Sequence, residues 1–267
     1  MRESGIVNGE TIRPISHAST NRKVFDLAAP HVGVGTRLLD VGAGEGYFSQ
    51  MMGRHVESAF NVEADSIVAA CDVHPEYYRY PAVSCDRIDP GGALPYPDAA
   101  FDVTCSLEVV EHVEDQFRFY RELVRVTKPG GTIILSTPNV LNLNSRWRML
   151  HSGFATLFDP LPISATDVRH TSGHIHPVSY YYLAWALRRS GAGTVRVEFD
   201  RLKNSARGLL VFCWPVITVG NALFRARLRR KKPEVWRENA DLLDDMQSAG
   251  MLLSRSVVVV ATRAVPS

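Results

Sequence analysis

The chain has 267 residues, and 30 Lys and Arg against 28 Asp and Glu leave a formal charge of +2. Hydrophobic residues make up 45% and charged residues 22%, which excludes collagen-like, highly charged disordered and disulfide-framework proteins. The near-zero charge gives no global reason to expect nucleic acid as a partner.

The length suits one large domain carrying a sizeable insertion. Cys71, Cys85, Cys105 and Cys213 lie far apart with no C-x-x-C pair, and read as reduced, mostly buried thiols in a cytosolic protein. The first twenty residues hold Arg2, Glu3, Glu10 and Arg13 and no apolar core, so no signal peptide is expected and the cytoplasm is the expected location.

Residues 1–35 form an N-terminal segment of mixed composition, with a short helix expected around 21–29. After Gly35 short apolar runs alternate with helical patterns, the signature of βαβ units and a parallel sheet. Strands are expected at 37–41, 66–72, 82–85, 101–106 and 132–136, with a helix opening at Tyr47. Val109, Val113, Phe117, Tyr120, Leu123 and Val124 recur at helical spacing and predict a helix over 108–127. Lys128-Pro129-Gly130-Gly131 stops it.

From Pro138 to Pro177 periodicity is lost, as in lids and binding loops. A helix over 179–190, a strand over 194–199, an apolar-then-basic stretch over 208–232 and a last strand over 255–261 follow. The sum is an α/β fold, a doubly wound, mostly parallel seven-stranded sheet. Residues 36–267 make its main domain, with cap insertions at about 139–180 and 201–250.

Asp40-Val41-Gly42-Ala43-Gly44-Glu45-Gly46 follows the first strand and opens a helix, where open sheets bind ligands. Gly42 and Gly44, lacking Cβ, let a ligand approach the backbone closely. A dinucleotide turn reads G-x-G-x-x-G, but Tyr47 holds the third glycine position and Glu45 sets a negative charge where phosphates sit. The turn therefore suits a cationic ligand without phosphate. Asp72 ends the second strand, 28 residues beyond Gly44, and is placed to accept from ribose hydroxyls. Glu63, 19 beyond, is its rival but sits in a polar run. Asp86 follows at the same edge, able to accept from an exocyclic amine.

Together these residues resemble the class I S-adenosylmethionine-dependent methyltransferases of small-molecule and glycan type. Leu38 to Gly46 is similar to that family's first motif, and Asp86-Arg87 to its adenine-contacting pair. Leu94 to Val103, Ser106 to Val113 and Arg125 to Gly131 are similar to the segments around its fourth strand and the helix that follows. The resemblance spans about 36–138 and implies a Rossmann-like sheet with S-adenosyl-L-methionine as cofactor. It implies that Asp40, Gly42, Ala43 and Gly44 lie along the methionine part, Tyr47 near its carboxyl end and Asp72 at the ribose. Asp86 and Arg87 would frame the adenine, and Leu107 and Glu108 would cover its other side.

Methyl transfer to a hydroxyl needs a base, for which His112 and His174 are the candidates. His174 stands in Gly173-His174-Ile175-His176-Pro177, a turn that resembles the acceptor cover of small-molecule and glycan methyltransferases. His170, His174 and His176 have no carboxylate or cysteine at metal-ligand spacing in sequence, so no metal is expected. Residues 208–224 carry no charge and are followed by Arg225, Arg227, Arg229, Arg230, Lys231 and Lys232. Pro215, Gly220 and Asn221 interrupt the run and speak against a spanning helix, which leaves two readings: an interfacial helix with peripheral membrane contact through 208–232, or a buried cap helix with a solvated basic end. The expected reaction is O-methylation of a small molecule, sugar or lipid-linked intermediate. Alternatives are N- or C-methylation on the same fold, an NAD(P)-dependent oxidoreductase and a non-catalytic cofactor-binding scaffold.

Overall fold

A computed structural model describes residues 5–7, 10–89, 91–163, 173–202 and 205–266. His170 and the stretch of the cap over 164–172 lie outside the described residues. A short antiparallel hairpin, β1 (Gly5–Val7) and β2 (Glu10–Ile12), precedes helix α1 (Ala18–Ala28). Strand β3 (Leu38–Val41) then leads into α2 (Tyr47–Phe60), and β4 (Val68–Asp72) is followed by the short edge strand β5 (Cys85–Arg87). Next come β6 (Phe101–Leu107), α3 (Gln116–Val126) and β7 (Thr127–Pro138). After α4 (Leu143–Ser152), α5 (Tyr180–Arg189) and β8 (Ala192–Phe199), the long α6 (Ser205–Lys231) runs into α7 (Pro233–Asp245). The short α8 (Ala249–Leu253) and β9 (Ser256–Arg263) complete the fold.

The seven-stranded sheet has the order β5-β4-β3-β6-β7-β9-β8. The pairs β4–β5, β3–β4, β3–β6 and β6–β7 are parallel, and β9 runs antiparallel to both of its neighbours. The strands are apolar at successive positions because the sheet is covered on both sides. Leu39, Val41, Ile133, Leu135, Val257 and Val259 pack with α3 and α5 on one face. Leu38, Ile134, Val258 and Val260 pack with Val24 of α1 and Met52 of α2 on the other. The α/β, doubly wound, mostly parallel sheet is thus present, and α1 binds the N-terminal segment into its core.

Several elements depart from expectation. The third strand lies at Cys85–Arg87 rather than 82–85, which puts Asp86 and Arg87 within it. The helix expected from Glu108 starts only at Gln116, capped by Asp115, whose carboxylate accepts from the Arg118 amide at 2.9 Å. Before it, Glu108 has φ 55° and Val110–His112 forms a single 3-10 turn, so the chain breaks step at the sheet edge. The 138–177 segment is not without structure, since it contains α4. Helix α4 packs with α6 and α8 through Leu143, Ala206, Leu252 and Leu253, which joins the two cap insertions to each other.

Candidate active site

The β3–α2 turn is fixed from below by β4. The amides of Gly42 and Ala43 donate to the Cys71 carbonyl at 2.8 and 3.2 Å. The Asp72 carboxylate accepts from the Gly44 amide at 2.9 Å and from the His74 amide at 2.8 Å. Gly42 and Gly44 have φ of 75° and 53°, and a Cβ on Gly42 would overlap Val109. Ala43 packs between them against the α1–α2 core. Ile15 lies over Gly44, and the Arg13 amide reaches Glu45 Oε2 at 3.3 Å, so the N-terminal segment crosses above the turn.

Asp40 is buried at the end of β3, where Ser49 donates its hydroxyl to Oδ2 at 2.7 Å. Burial pushes its carboxyl up to about 7, against the Ser49 hydrogen bond, and the nearby Asp72 pushes the same way. Asp72 stands at the carboxyl end of β4, whereas exposed Glu63 precedes the start of that strand, at the opposite edge of the sheet. Of the two, Asp72 alone borders the glycine turn. Asp86 accepts from the Tyr96 hydroxyl at 2.8 Å. The Arg87 guanidinium turns instead to the Val73 carbonyl at 2.9 Å and Glu76 at 3.0 Å. Tyr47 is buried in the α1–α2 core, and Leu107 is buried at the end of β6.

A second group of residues gathers beyond β6. The Glu108 amide donates to Ser136 Oγ and to its carbonyl, each at 3.1 Å, holding the turn against β7. The Glu111 carbonyl accepts from the amides of Ile175 and His176 at 3.0 and 3.1 Å, which fastens the Gly-His-Ile-His turn to it. His112 Nδ1 lies 2.9 Å from the Gly173 carbonyl, and His174 Nδ1 lies 2.8 Å from that of Leu157. A carbonyl only accepts, so each Nδ1 carries the proton and each Nε2 keeps its lone pair. The two rings meet edge-on with centroids 4.9 Å apart. Burial lowers both imidazoles below their ordinary range, for His112 reinforced by His174, so both are neutral at pH 7.

The sequence reading gave Glu111 no role, although it directly precedes His112. Its carboxylate is fully buried and lies with His112 and His174 so that one donor atom from each falls within 4.8 Å of the others. This corrects the expectation that no carboxylate joins the histidines. Spacing along the chain missed it because Glu111 meets His174 only through the fold. Burial, and the neighbouring Glu108, push the Glu111 carboxyl well above the usual carboxylate range.

A family model described as a methyltransferase domain matches residues 39–135, the stretch that builds the glycine turn, Asp72 and the β6 edge. A probable S-adenosylmethionine-dependent methyltransferase of Mycolicibacterium smegmatis is 36% identical over 178 residues, 64% of this chain and 66% of its own length. The chain belongs to the class I S-adenosylmethionine-dependent methyltransferases. Ajmaline N-methyltransferase of Rauvolfia serpentina is 28% identical over 185 residues, 58% of this chain and 61% of its own. The chain thus spans about two thirds, or less, of the length of these curated relatives. A SAM-dependent methyltransferase structure from Archaeoglobus fulgidus shares the fold with a TM-score of 0.52 at 14% identity, over 91% of this chain and 94% of that one.

S-adenosylmethionine is the cofactor of this methyltransferase family, and the site's chemistry fits it. Asp40, Asp72 and Asp86 bring three carboxylates to the carboxyl ends of adjacent strands, an environment for a cationic sulfonium, an amine and hydroxyl donors. Gly42 and Gly44 hold the turn at positive φ, and Ile15 of the N-terminal segment covers Gly44.

Proposed function

We propose that this methyltransferase transfers the methyl group of S-adenosylmethionine to a hydroxyl oxygen of a small molecule, a sugar or a lipid-linked intermediate. The observation that carries the reading is the pair of neutral imidazoles, His112 and His174, with Nε2 lone pairs beside the β6 edge. In the displacement the carbon–sulfur bond breaks, its electron pair stays on sulfur, and a carbon–oxygen bond forms. The hydroxyl proton leaves toward the imidazole side. An amine acceptor that binds unprotonated needs no such group, so the histidine pair favours oxygen over the nitrogen chemistry named for the ajmaline relative. In-line positioning of donor and acceptor supplies much of the remaining rate.

The test is isotopically labelled methyl transfer to panels of hydroxyl and amine acceptors. Label on oxygen, with turnover cut ~10²–10⁴-fold in His112→Ala, is expected. Label confined to nitrogen or carbon, or an unaffected variant, would sink the oxygen reading.

Helix α6 supports an acceptor presented at a membrane surface. Leu209, Leu210, Cys213 and Ile217 pack toward α4 and α8. Val211, Phe212, Val216, Val219 and Leu223 point away and are 59–82% exposed. Ala206–Lys231 is long and apolar enough to cross a membrane by length and composition, with a mean hydropathy of 1.6 over its most apolar 18 residues. Polar α7 nevertheless folds back along it, with Arg225 bonded to the Leu243 carbonyl at 2.7 Å and Arg229 stacked 4.1 Å from the Trp236 ring centre. A helix sheathed on one side by protein fits an interface better than a bilayer core. The basic end meets anionic headgroups. Co-sedimentation with anionic vesicles is expected, and its absence would remove the membrane contact.

A further inference from the structure

Glu108 and Glu111 place two carboxyl groups in one turn, and each has a buried oxygen, Oε1, without a hydrogen-bond partner among the described residues. Glu111 is fully buried, and only its Oε2 is engaged, by the Thr137 hydroxyl at 3.0 Å. Leaving such an oxygen unsatisfied costs free energy, more for a charged group than a neutral one. Beside it stand the histidines whose Nδ1 protons are committed to the Gly173 and Leu157 carbonyls. One ligand atom from Glu111 and one from each imidazole converge there within 4.8 Å of one another, and once the Glu111 proton is displaced the three groups can only accept. Acceptors repel one another, and a hydrogen-bond donor would satisfy only one or two of them. A cation satisfies all three.

We propose that Glu111, His112 and His174 bind a divalent first-row transition ion. Two imidazoles and one carboxylate are a ligand set for such ions, and they leave positions open for water and substrate. The Gly173 and Leu157 carbonyls serve as the outer partners that fix each ring's tautomer and orientation. Tetrahedral bonds of about 2.1 Å set ligand atoms roughly 3.4 Å apart, so the triad closes by no more than about 1.4 Å on binding. His112 is the most exposed residue of the three although its ring is partly buried, so a hydrated ion reaches the group from its side. Leu157 holds φ 73° and Glu108 φ 55°, so two non-glycine residues bordering the triad keep a costly backbone conformation.

The ion's task rests on the oxygen-methylation reading. An acceptor hydroxyl bound at an open position loses its proton to solvent more readily, as metal-bound water does. The oxygen then attacks the methyl carbon, and the displaced sulfur keeps the electron pair. The histidines act as ligands in that state, and the ion takes over their work as base.

The experiment is a Mn²⁺ titration of untagged, chelator-stripped protein followed by electron paramagnetic resonance, with S-adenosylhomocysteine binding measured on each sample. One Mn²⁺ per chain is expected. His112→Ala and Glu111→Gln should each weaken it at least tenfold while S-adenosylhomocysteine binding persists, and His151→Ala should leave it unchanged. If Glu111→Gln fails to fold, His174→Ala takes its place. A wild type that binds S-adenosylhomocysteine but takes up no Mn²⁺, or Mn²⁺ affinity equal in all variants, overturns the site. Methyl transfer is read separately. Intact Mn²⁺ binding without oxygen methylation overturns the acceptor reading and leaves the metal site standing. Full activity in chelator overturns the ion's catalytic task.

Discussion

The sheet and the cap bury their apolar residues in opposite ways. In the sheet, Ile133, Ile134 and Leu135 of β7 and Val257, Val258 and Val259 of β9 are each 1% exposed or less, because helices lie on both faces. In the cap, Phe212 and Val216 of α6 are 82% and 75% exposed, and among the described residues only one side of that helix meets protein. The sheet is built to hold a cofactor turn in one shape. The cap leaves apolar side chains of α6 exposed. The difference teaches that the residues carrying stability are not those that would carry the proposed membrane contact, so substitutions can set the two against each other.

The largest effect is expected in the sheet. Ile134→Ala removes a fully buried side chain from the β6–β7–β9 centre and should cost ~2–5 kcal/mol in urea unfolding. Asp40 comes next. Its carboxyl is raised to about 7, so the folded state binds more protons than the unfolded chain, and stability falls as pH rises from about 4 through 7. Asp40→Asn removes that slope, and its advantage over the wild type should grow to as much as about 4 kcal/mol by pH 8. Unfolding curves at pH 5 and pH 8 measure it, and parallel pH profiles would show that Asp40 is not the group responsible.

Asp72→Ala should weaken S-adenosylhomocysteine by about 1–3 kcal/mol in calorimetric titration, the size of hydrogen bonds to a charged group. The smallest stability effect belongs to the cap. Phe212→Ser with Val216→Ser should change unfolding free energy by no more than about 0.5 kcal/mol, as at other exposed sites. The same pair should abolish vesicle co-sedimentation. A large loss of stability there would mean that α6 is covered by its own chain, and the contrast between the two halves would fail.

The same contrast explains what was legible in the sequence. Runs such as Val257-Val258-Val259-Val260 announce strands covered on both faces, and the Asp40 to Gly46 turn announced the cofactor edge. Edge strand β5 carries exposed Asp86 and Arg87, so no apolar run marked its position. Helix α4 buries little beyond Leu143 and Ser145, and with so narrow an apolar stripe its periodicity was faint. Its end signals were nonetheless present: Asn142 caps it with a bond to the Ser145 amide, and Gly153 ends it at φ 77°. The helix drawn from Glu108 was too long because Val109 and Val113 continue the helical spacing across a turn that is not helical. Within the site, the acids at strand ends were readable one by one. The meeting of Glu111 with His174 was not, because it depends on how a distant turn folds back.

The position of β9 has a consequence for how the chain is made. During synthesis β3 to β7 emerge first, and β7 stands as an edge with unpaired backbone until β9 arrives more than a hundred residues later. At typical elongation rates of about 5–20 residues per second, that exposure lasts on the order of ten seconds. An apolar edge open for that time is a template for pairing with another chain. The nascent protein is therefore most vulnerable to aggregation while its cap is being translated, which makes ribosome pace through 139–255 and chaperone supply direct determinants of yield.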